Sequence, residues 1–221
     1  GRVLKDLCND PRYFCTRVER GESWESLFTD YNTRKIVMTV NRMNIRLRPG
    51  MIIAVPKELG AVSLNELSPF GNSIPSQGEP VIIYDPTQLA WGAFDASGQL
   101  VRWGGGSAGS DFCRDLGRGC HTKVGTHRIY SKGAANCVST KFPIPNGGAP
   151  MPYCMFFSGG QAFHGGPYEV PGFNASHGCI RIFVDDALWL RDSFVGSGTL
   201  VIIRPYTQQS SSSSVWDGKG T

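Results

Sequence analysis

The chain has 221 residues, 40% of them hydrophobic and 18% charged, a balance that excludes a wholly disordered protein. Its 28 glycines and 14 prolines suit a turn-rich β protein better than a helical bundle. The formal charge of +4 would suit an acidic polymer such as a cell wall, but no Lys/Arg run is dense enough for nucleic acid, and no apolar run reaches the ~20 residues that cross a bilayer.

Six of the seven cysteines form sequence-local couples: Cys8 with Cys15, Cys113 with Cys120, and Cys137 with Cys154. Cys179 is left over. This arithmetic predicts three disulfides, one free thiol and an oxidising compartment. Seven reduced cysteines in a cytosolic protein are the plainer alternative. Zinc is disfavoured, because the six show neither C-x-x-C nor His-pair spacing. The chain opens Gly1-Arg2-Val3-Leu4-Lys5 without a signal peptide, so an exported protein is expected to have lost its leader.

Residues 12–59 make a compact, charged unit. A strand near 13–18 leads to Ser23-Trp24-Glu25-Ser26-Leu27-Phe28, where Ser23 can cap a helix whose face carries Trp24, Leu27 and Phe28. Ile36, Val37, Val40 and Met43 mark a second short helix. The turn Arg48-Pro49-Gly50 enters a strand over 51–55, closed by Pro56. This βααβ unit resembles a LysM module. Val18, Gly21-Glu22-Ser23-Trp24, Asn41 and Leu47-Arg48-Pro49-Gly50-Met51-Ile52-Ile53-Ala54-Val55-Pro56 fall on its motif, with Glu22 and Ser23 where Asp and Thr are usual. The resemblance implies binding to N-acetylglucosamine polymers such as peptidoglycan. The alternative is an unrelated α+β cap that packs on the larger domain.

The Ser/Pro/Gly/Asn stretch 60–78 reads as a linker or long loop, and 79–206 as the main domain. Strand-length apolar runs lie at 81–84, 88–94, 100–103, 127–130 and 200–203, divided by turns such as Asp95-Ala96-Ser97-Gly98 and Pro145-Asn146-Gly147-Gly148. One helix is legible over 185–194, with Asp185 and Asp186 at its start and Gly196 as its stop. Residues 207–221, with serines at 210–214, are expected to form a flexible tail. The fold class is mainly β with one or two helices, plus the βααβ unit.

All four histidines, His121, His127, His164 and His177, precede Cys179, the reverse of the papain-like order. A nucleophilic thiol needs a base and amide donors for the oxyanion. His164, in His164-Gly165-Gly166-Pro167, can take the proton. Gly178, in Ser176-His177-Gly178-Cys179-Ile180-Arg181, lets backbone N–H groups approach an oxyanion. Arg181 adds positive charge near the sulfur and can clamp a substrate carboxylate. The alternatives are an inert buried thiol, and a zinc site of His164, His177 and Cys179, for which no general-base glutamate stands closer than Glu169.

The stretch from Met151-Pro152-Tyr153-Cys154-Met155 through His164-Gly165 to Ser176-His177-Gly178-Cys179-Ile180-Arg181 resembles the L,D-transpeptidase catalytic domain (YkuD-type). Thr122-Lys123-Val124-Gly125-Thr126-His127 stands for that family's Thr-Pro-x-Gly-x-Phe strand, with Lys123 for Pro and His127 for the aromatic. The likeness, over about residues 80–204, implies a β-rich fold and thiol acyl transfer with no cofactor and no metal. In that chemistry the thiol attacks the carbonyl between the L-centre of meso-diaminopimelate and the terminal D-Ala of a stem tetrapeptide. The thioester then passes to a second stem (a 3→3 cross-link), a lipoprotein lysine or a D-amino acid, or to water, which makes the enzyme an L,D-carboxypeptidase. By position, Cys179 is the nucleophile and His164 the base. His177 and Gly178 shape the oxyanion region with Cys179, and Tyr153, Met155, Arg181 and Ser176 are expected in the substrate pocket. The implied partners are peptidoglycan stem peptides and glycan, in the periplasm or the outer cell wall. Two rivals remain: a sortase-like set of His121, Cys179 and Arg191, lacking the expected Thr-Leu-x-Thr-Cys, and a LysM wall-binding protein with an inactive second domain.

Overall fold

The computed structural model describes residues 1–207, so the serine-rich tail falls, beyond its first residue, outside the described residues. The chain begins with α1 (Arg2–Cys8), β1 (Tyr13–Arg17), α2 (Trp24–Leu27), α3 (Tyr31–Val40) and β2 (Ile52–Pro56). β1 and β2 pair antiparallel, from Tyr13 opposite Pro56 to Arg17 opposite Ile52. Helix α1 carries no motif in the sequence. Leu4 and Leu7 hold it in an apolar cluster with Tyr13, and the Cys8–Cys15 disulfide ties it to β1. Ser23 caps α2 as its position requires: its hydroxyl accepts the Ser26 N–H at 3.0 Å, and the Ser26 hydroxyl accepts the Ser23 N–H at 2.8 Å. Asn41 joins α3 to β2, donating to the carbonyls of Val37 and Ala54 and accepting the Ala54 N–H, each at 2.8 Å.

The 60–78 segment is packed, not loose. It makes a 3-10 turn at Leu64–Leu67, where Trp103 Nε1 donates to the Leu64 carbonyl at 2.7 Å. Phe70 meets Phe94 edge-on at 5.6 Å. Tyr13, Val40 and Ala54 share one cluster with Leu67, Ala90 and Trp103, so the N-terminal unit and the main domain have a common core. Removing either would bare apolar surface on the other.

The main domain adds β3 (Val81–Asp85), β4 (Ala90–Phe94), β5 (Leu100–Ser107), β6 (Gly125–Arg128), β7 (Ser131–Lys132), β8 (Met155–Ser158), β9 (Gln161–Gly165), β10 (Ile180–Ile182), α4 (Val184–Trp189) and β11 (Leu200–Ile203). They form one nine-stranded sheet in the order β6-β11-β3-β4-β5-β10-β9-β8-β7. Two pairs are parallel, β10 with β9 and β11 with β3. The apolar run of β3 is buried at every position, because Ile82 and Tyr84 face the main core while Val81 and Ile83 face a second cluster with Phe94. Strand β5 runs on to Ser107, past the apolar stretch legible in the sequence. The helix expected over 185–194 divides into α4 and one π turn, Leu190–Phe194.

All three disulfides expected from the spacing are present, and Cys179 is free. The native, unreduced protein should therefore titrate one thiol with a chromogenic disulfide reagent, and Cys179→Ala none. A second reactive thiol in the wild type would contradict this pairing.

Candidate active site

Two short parallel strands carry the centre of the site. In the pairing of β9 with β10, Arg181 stands opposite His164 and Ile180 opposite Phe163. Cys179 directly precedes β10, two residues before Arg181, so the alternation of an extended chain puts Cys179, Arg181 and His164 on one face. All three line a cleft of about 520 Å³.

His164 is 5% exposed, and its Nδ1 lies 2.8 Å from the Gly165 carbonyl oxygen. A carbonyl can only accept, so Nδ1 carries the hydrogen and the neutral ring keeps its lone pair on Nε2. Burial lowers its pKa to about 4; the Gly165 bond opposes the shift and the charge of Arg181 reinforces it. Burial also raises the Cys179 thiol above its ordinary value, against a hydrogen bond from the Ala162 backbone and the charge of Arg181. At neutral pH the cleft thus holds a thiol and a free base on one face, not a thiolate and an imidazolium.

The turn before Cys179 is folded by the buried side chains of Ser176 and Thr122. Ser176 is 2% exposed; its hydroxyl accepts the Gly178 N–H at 3.0 Å and donates to the Cys179 carbonyl. Ser176 thus holds the turn together while also lining the cleft, as expected of a pocket residue. Thr122 Oγ1 donates to the Gly178 carbonyl at 2.7 Å and accepts the Gly109 N–H at 3.0 Å. Gly178 has φ +138°, a region side chains rarely adopt. His177 lines the cleft but turns outward: Nε2 lies 2.8 Å from Asp115 Oδ2, and the ring stacks on Phe142 at 4.4 Å.

Two expected pocket residues lie elsewhere. Met155 is fully buried in the main core, and Tyr153 packs against that core with the Arg191 guanidinium 5.8 Å from its ring. Alternation explains the correction, since Met155 and Phe157 of β8 face inward while Phe156, between them, lines the cleft. The sortase-like set is not assembled. His121 pairs with Asp111 and stacks on Tyr206 at 3.6 Å, and neither it nor Arg191 lines the cleft. The zinc alternative fares no better: among the described residues His177 gathers with Asp115 and Cys113, whose sulfur is spent in a disulfide.

The family model of the L,D-transpeptidase catalytic domain (YkuD) matches residues 79–203, more than half of the chain. The chain belongs to the L,D-transpeptidase family. The L,D-transpeptidase (residues 123–326) from Xylanimonas cellulosilytica DSM 15894 is 25% identical with a TM-score of 0.54, over 71% of this chain and 72% of that one. An L,D-transpeptidase (Yku) from Stackebrandtia nassauensis shares the fold at 17% identity and a TM-score of 0.53, over 94% of each chain. No curated protein sequence matches the chain.

The N-terminal unit props one wall of the L,D-transpeptidase cleft, the loop that carries Glu169. Asn44 Nδ2 donates to the Gly166 carbonyl, Asn44 Oδ1 accepts the Val170 N–H, and the Asn44 N–H donates to the Val170 carbonyl, each at 2.9 Å. These bonds bracket Glu169, whose carbonyl lies 3.4 Å from Arg181 Nη1. Nothing in the sequence marks Asn44, because its partners lie more than a hundred residues away. Asp115 and Phe142 were equally silent. The cleft also holds Arg118 and Lys141, so with Arg181 it presents three cations against one acid, Glu169, which suits a ligand bearing carboxylates.

Proposed function

We propose that the protein is a peptidoglycan L,D-transpeptidase that uses Cys179 as nucleophile and His164 as general base on stem tetrapeptides. The observation that carries this reading is the neutral His164, with Nδ1 donating to the Gly165 carbonyl, on the same sheet face as the free thiol. As Cys179 adds to the diaminopimelate–D-Ala carbonyl, its proton passes to His164 Nε2. The same proton leaves with the D-Ala amine as the C–N bond breaks. The acceptor amine then loses a proton to His164 as it attacks the thioester, and that proton returns to the sulfur as the C–S bond breaks and frees Cys179. Arg181, Arg118 and Lys141 are the groups available to hold carboxylates of the stem peptide.

The N-terminal unit serves in this reading as a LysM-like, glycan-binding module that raises the local concentration of the polymer. Its βααβ order and its Leu47-to-Pro56 closing motif support that role. Three disulfides fit a workplace in the periplasm or the outer wall.

Mass spectrometry of muropeptides tests the chemistry. Purified tetrapeptide-bearing muropeptides should lose D-Ala and gain 3→3-linked dimers with the wild type, and remain unchanged with Cys179→Ala. Tripeptides without dimers would reassign the enzyme as an L,D-carboxypeptidase. The module is tested with the full Cys179→Ala chain, which should sediment with insoluble peptidoglycan at low salt and still do so at a salt level that screens its net charge of +4. Full release by salt would reduce the contact to charge alone.

A further inference from the structure

One backbone donor expected around the oxyanion is turned away, because the Gly178 N–H is spent on Ser176 Oγ at 3.0 Å. The side chain of Gln161 stands against the same glycine. An atom at the Gly178 Cβ position would lie 2.7 Å from Gln161 Nε2. Chemistry fixes which end of that amide is which: the Lys123 N–H, 2.9 Å from Gln161 Oε1, can only donate, so the oxygen must face it. Nε2 is left beside Gly178, and among the described residues it donates to no acceptor. Gln161 lines the Cys179 cleft. The residues on either side of it both touch the sulfur: the Gly160 carbonyl oxygen lies 3.8 Å from Sγ, and the Ala162 backbone hydrogen-bonds to it. A donor with a fixed orientation and no partner thus lines the cleft, between two residues that touch the reacting sulfur.

We propose that Gln161 is a catalytic residue whose Nε2–H donates to the oxyanion formed when Cys179 adds to the scissile carbonyl. The inference rests on the thiol-addition reading given above. In that step the S–C bond forms, the carbonyl π pair moves onto oxygen, and the thiol proton passes to His164 Nε2. On collapse the pair returns, the C–N bond breaks, and the proton departs with the amine. Gln161 transfers nothing; its N–H binds the oxygen more strongly as charge grows there, and the Lys123 bond spares the side chain from reorganising. Gly178 is then required for two reasons, its φ of +138° and the room that Gln161 needs above it.

Two rates measured on the full chain separate this role from a structural one. A carbapenem acylates a thiol through an oxyanion at its strained carbonyl, whereas iodoacetamide alkylates the same thiol by displacement, with no oxyanion. Gln161→Met removes the donor without adding charge, and Gln161→Glu removes it while keeping an acceptor for the Lys123 N–H. Each should slow acylation about 10²–10³-fold. Alkylation above the thiol pKa should stay within about twofold of wild type, because it needs only a folded, accessible sulfur. Equal loss of both rates, or no loss of acylation, overturns the proposal. A Cys179→Ala protein that still gains the carbapenem mass overturns the thiol reading, and this proposal with it.

Discussion

Acylation of Cys179 should hold its rate from pH 7 down to about pH 5 and fall away only near pH 4. An ordinary histidine base would lose half its activity near pH 6.5. The reason is the buried imidazole: desolvation holds the pKa of His164 at about 4, so it stays a free base across that range. The thiol, raised by burial, stays protonated there, and every molecule holds the reactive pair. His164→Ala should then react about 10²–10⁴-fold more slowly at pH 7. Its rate should climb about tenfold per pH unit until the thiol titrates, since thiolate supplied by the solvent replaces the lost base. His177→Ala should show a smaller loss and no rescue by alkali, because its Nε2 is engaged with Asp115. The same shift has a sign in stability. Between pH 6.5 and about 4 the unfolded chain binds a proton at this histidine that the folded protein refuses, so stability is full above pH 6.5 and falls through that window. The loss is about 3 kcal/mol, and His164→Gln should abolish that part of the slope in urea titrations at pH 7 and pH 4.5. An acid limb near pH 6.5 in the wild type would show a solvated base and overturn the assignment.

Local chemistry was legible in the sequence; long-range geometry was not. The Ser23 cap and the apolar run at 200–203 are read from neighbours within a few residues and the cysteine couples from separations of 7, 7 and 17, and each is found where its spacing put it. Strands β8, β9 and β10 are short and flanked by glycines and turns, so no alternation long enough to register runs through them. Yet these strands hold the site. Cys179, His164 and Arg181 could be named from their residue types, but their common face follows from a parallel pairing that no local pattern encodes. Met155 departs from its expected place for a related reason: its position in the motif suggests contact with substrate, whereas the strand's alternation turns it inward. The 60–78 segment has a linker's composition, but Leu67 and Phe70 find apolar partners across the sheet and hold it down.

Lys35→Met should cost about 3–5 kcal/mol, the range for breaking a buried ion pair from one side. Lys35 Nζ lies 2.8 Å from Asp186 Oδ1 and also pairs with Asp185, while Arg102 Nη2 reaches the same Asp186 oxygen at 2.7 Å. Asp186 is 0% exposed, and its Oδ2 has no partner among the described residues. Burial pushes the Asp186 carboxyl above its usual range, and Lys35 is the strongest force opposing that shift. Without Lys35 a buried carboxylate would face Asp185 with Arg102 alone to balance both. The double variant Lys35→Met/Asp186→Leu should lose less than the sum of the single ones, because removing both charges also removes the stranded one. The consequence reaches the site through two contacts. Lys35 belongs to α3 of the N-terminal unit and Asp186 to α4, and α4 backs β9 so closely that a Cβ at Gly165 would lie 3.1 Å from Val184 Cα. Loosening the cluster should therefore slow acylation of Cys179 while leaving its acid limb near pH 4, since His164 keeps its own burial. Urea unfolding at pH 7 measures the first effect and the carbapenem rate the second. A Lys35→Met cost below about 1 kcal/mol, typical of a surface pair, would mean that water already solvates Asp186 and that the two units are held by their apolar core and the Asn44 hydrogen bonds, not by this cluster.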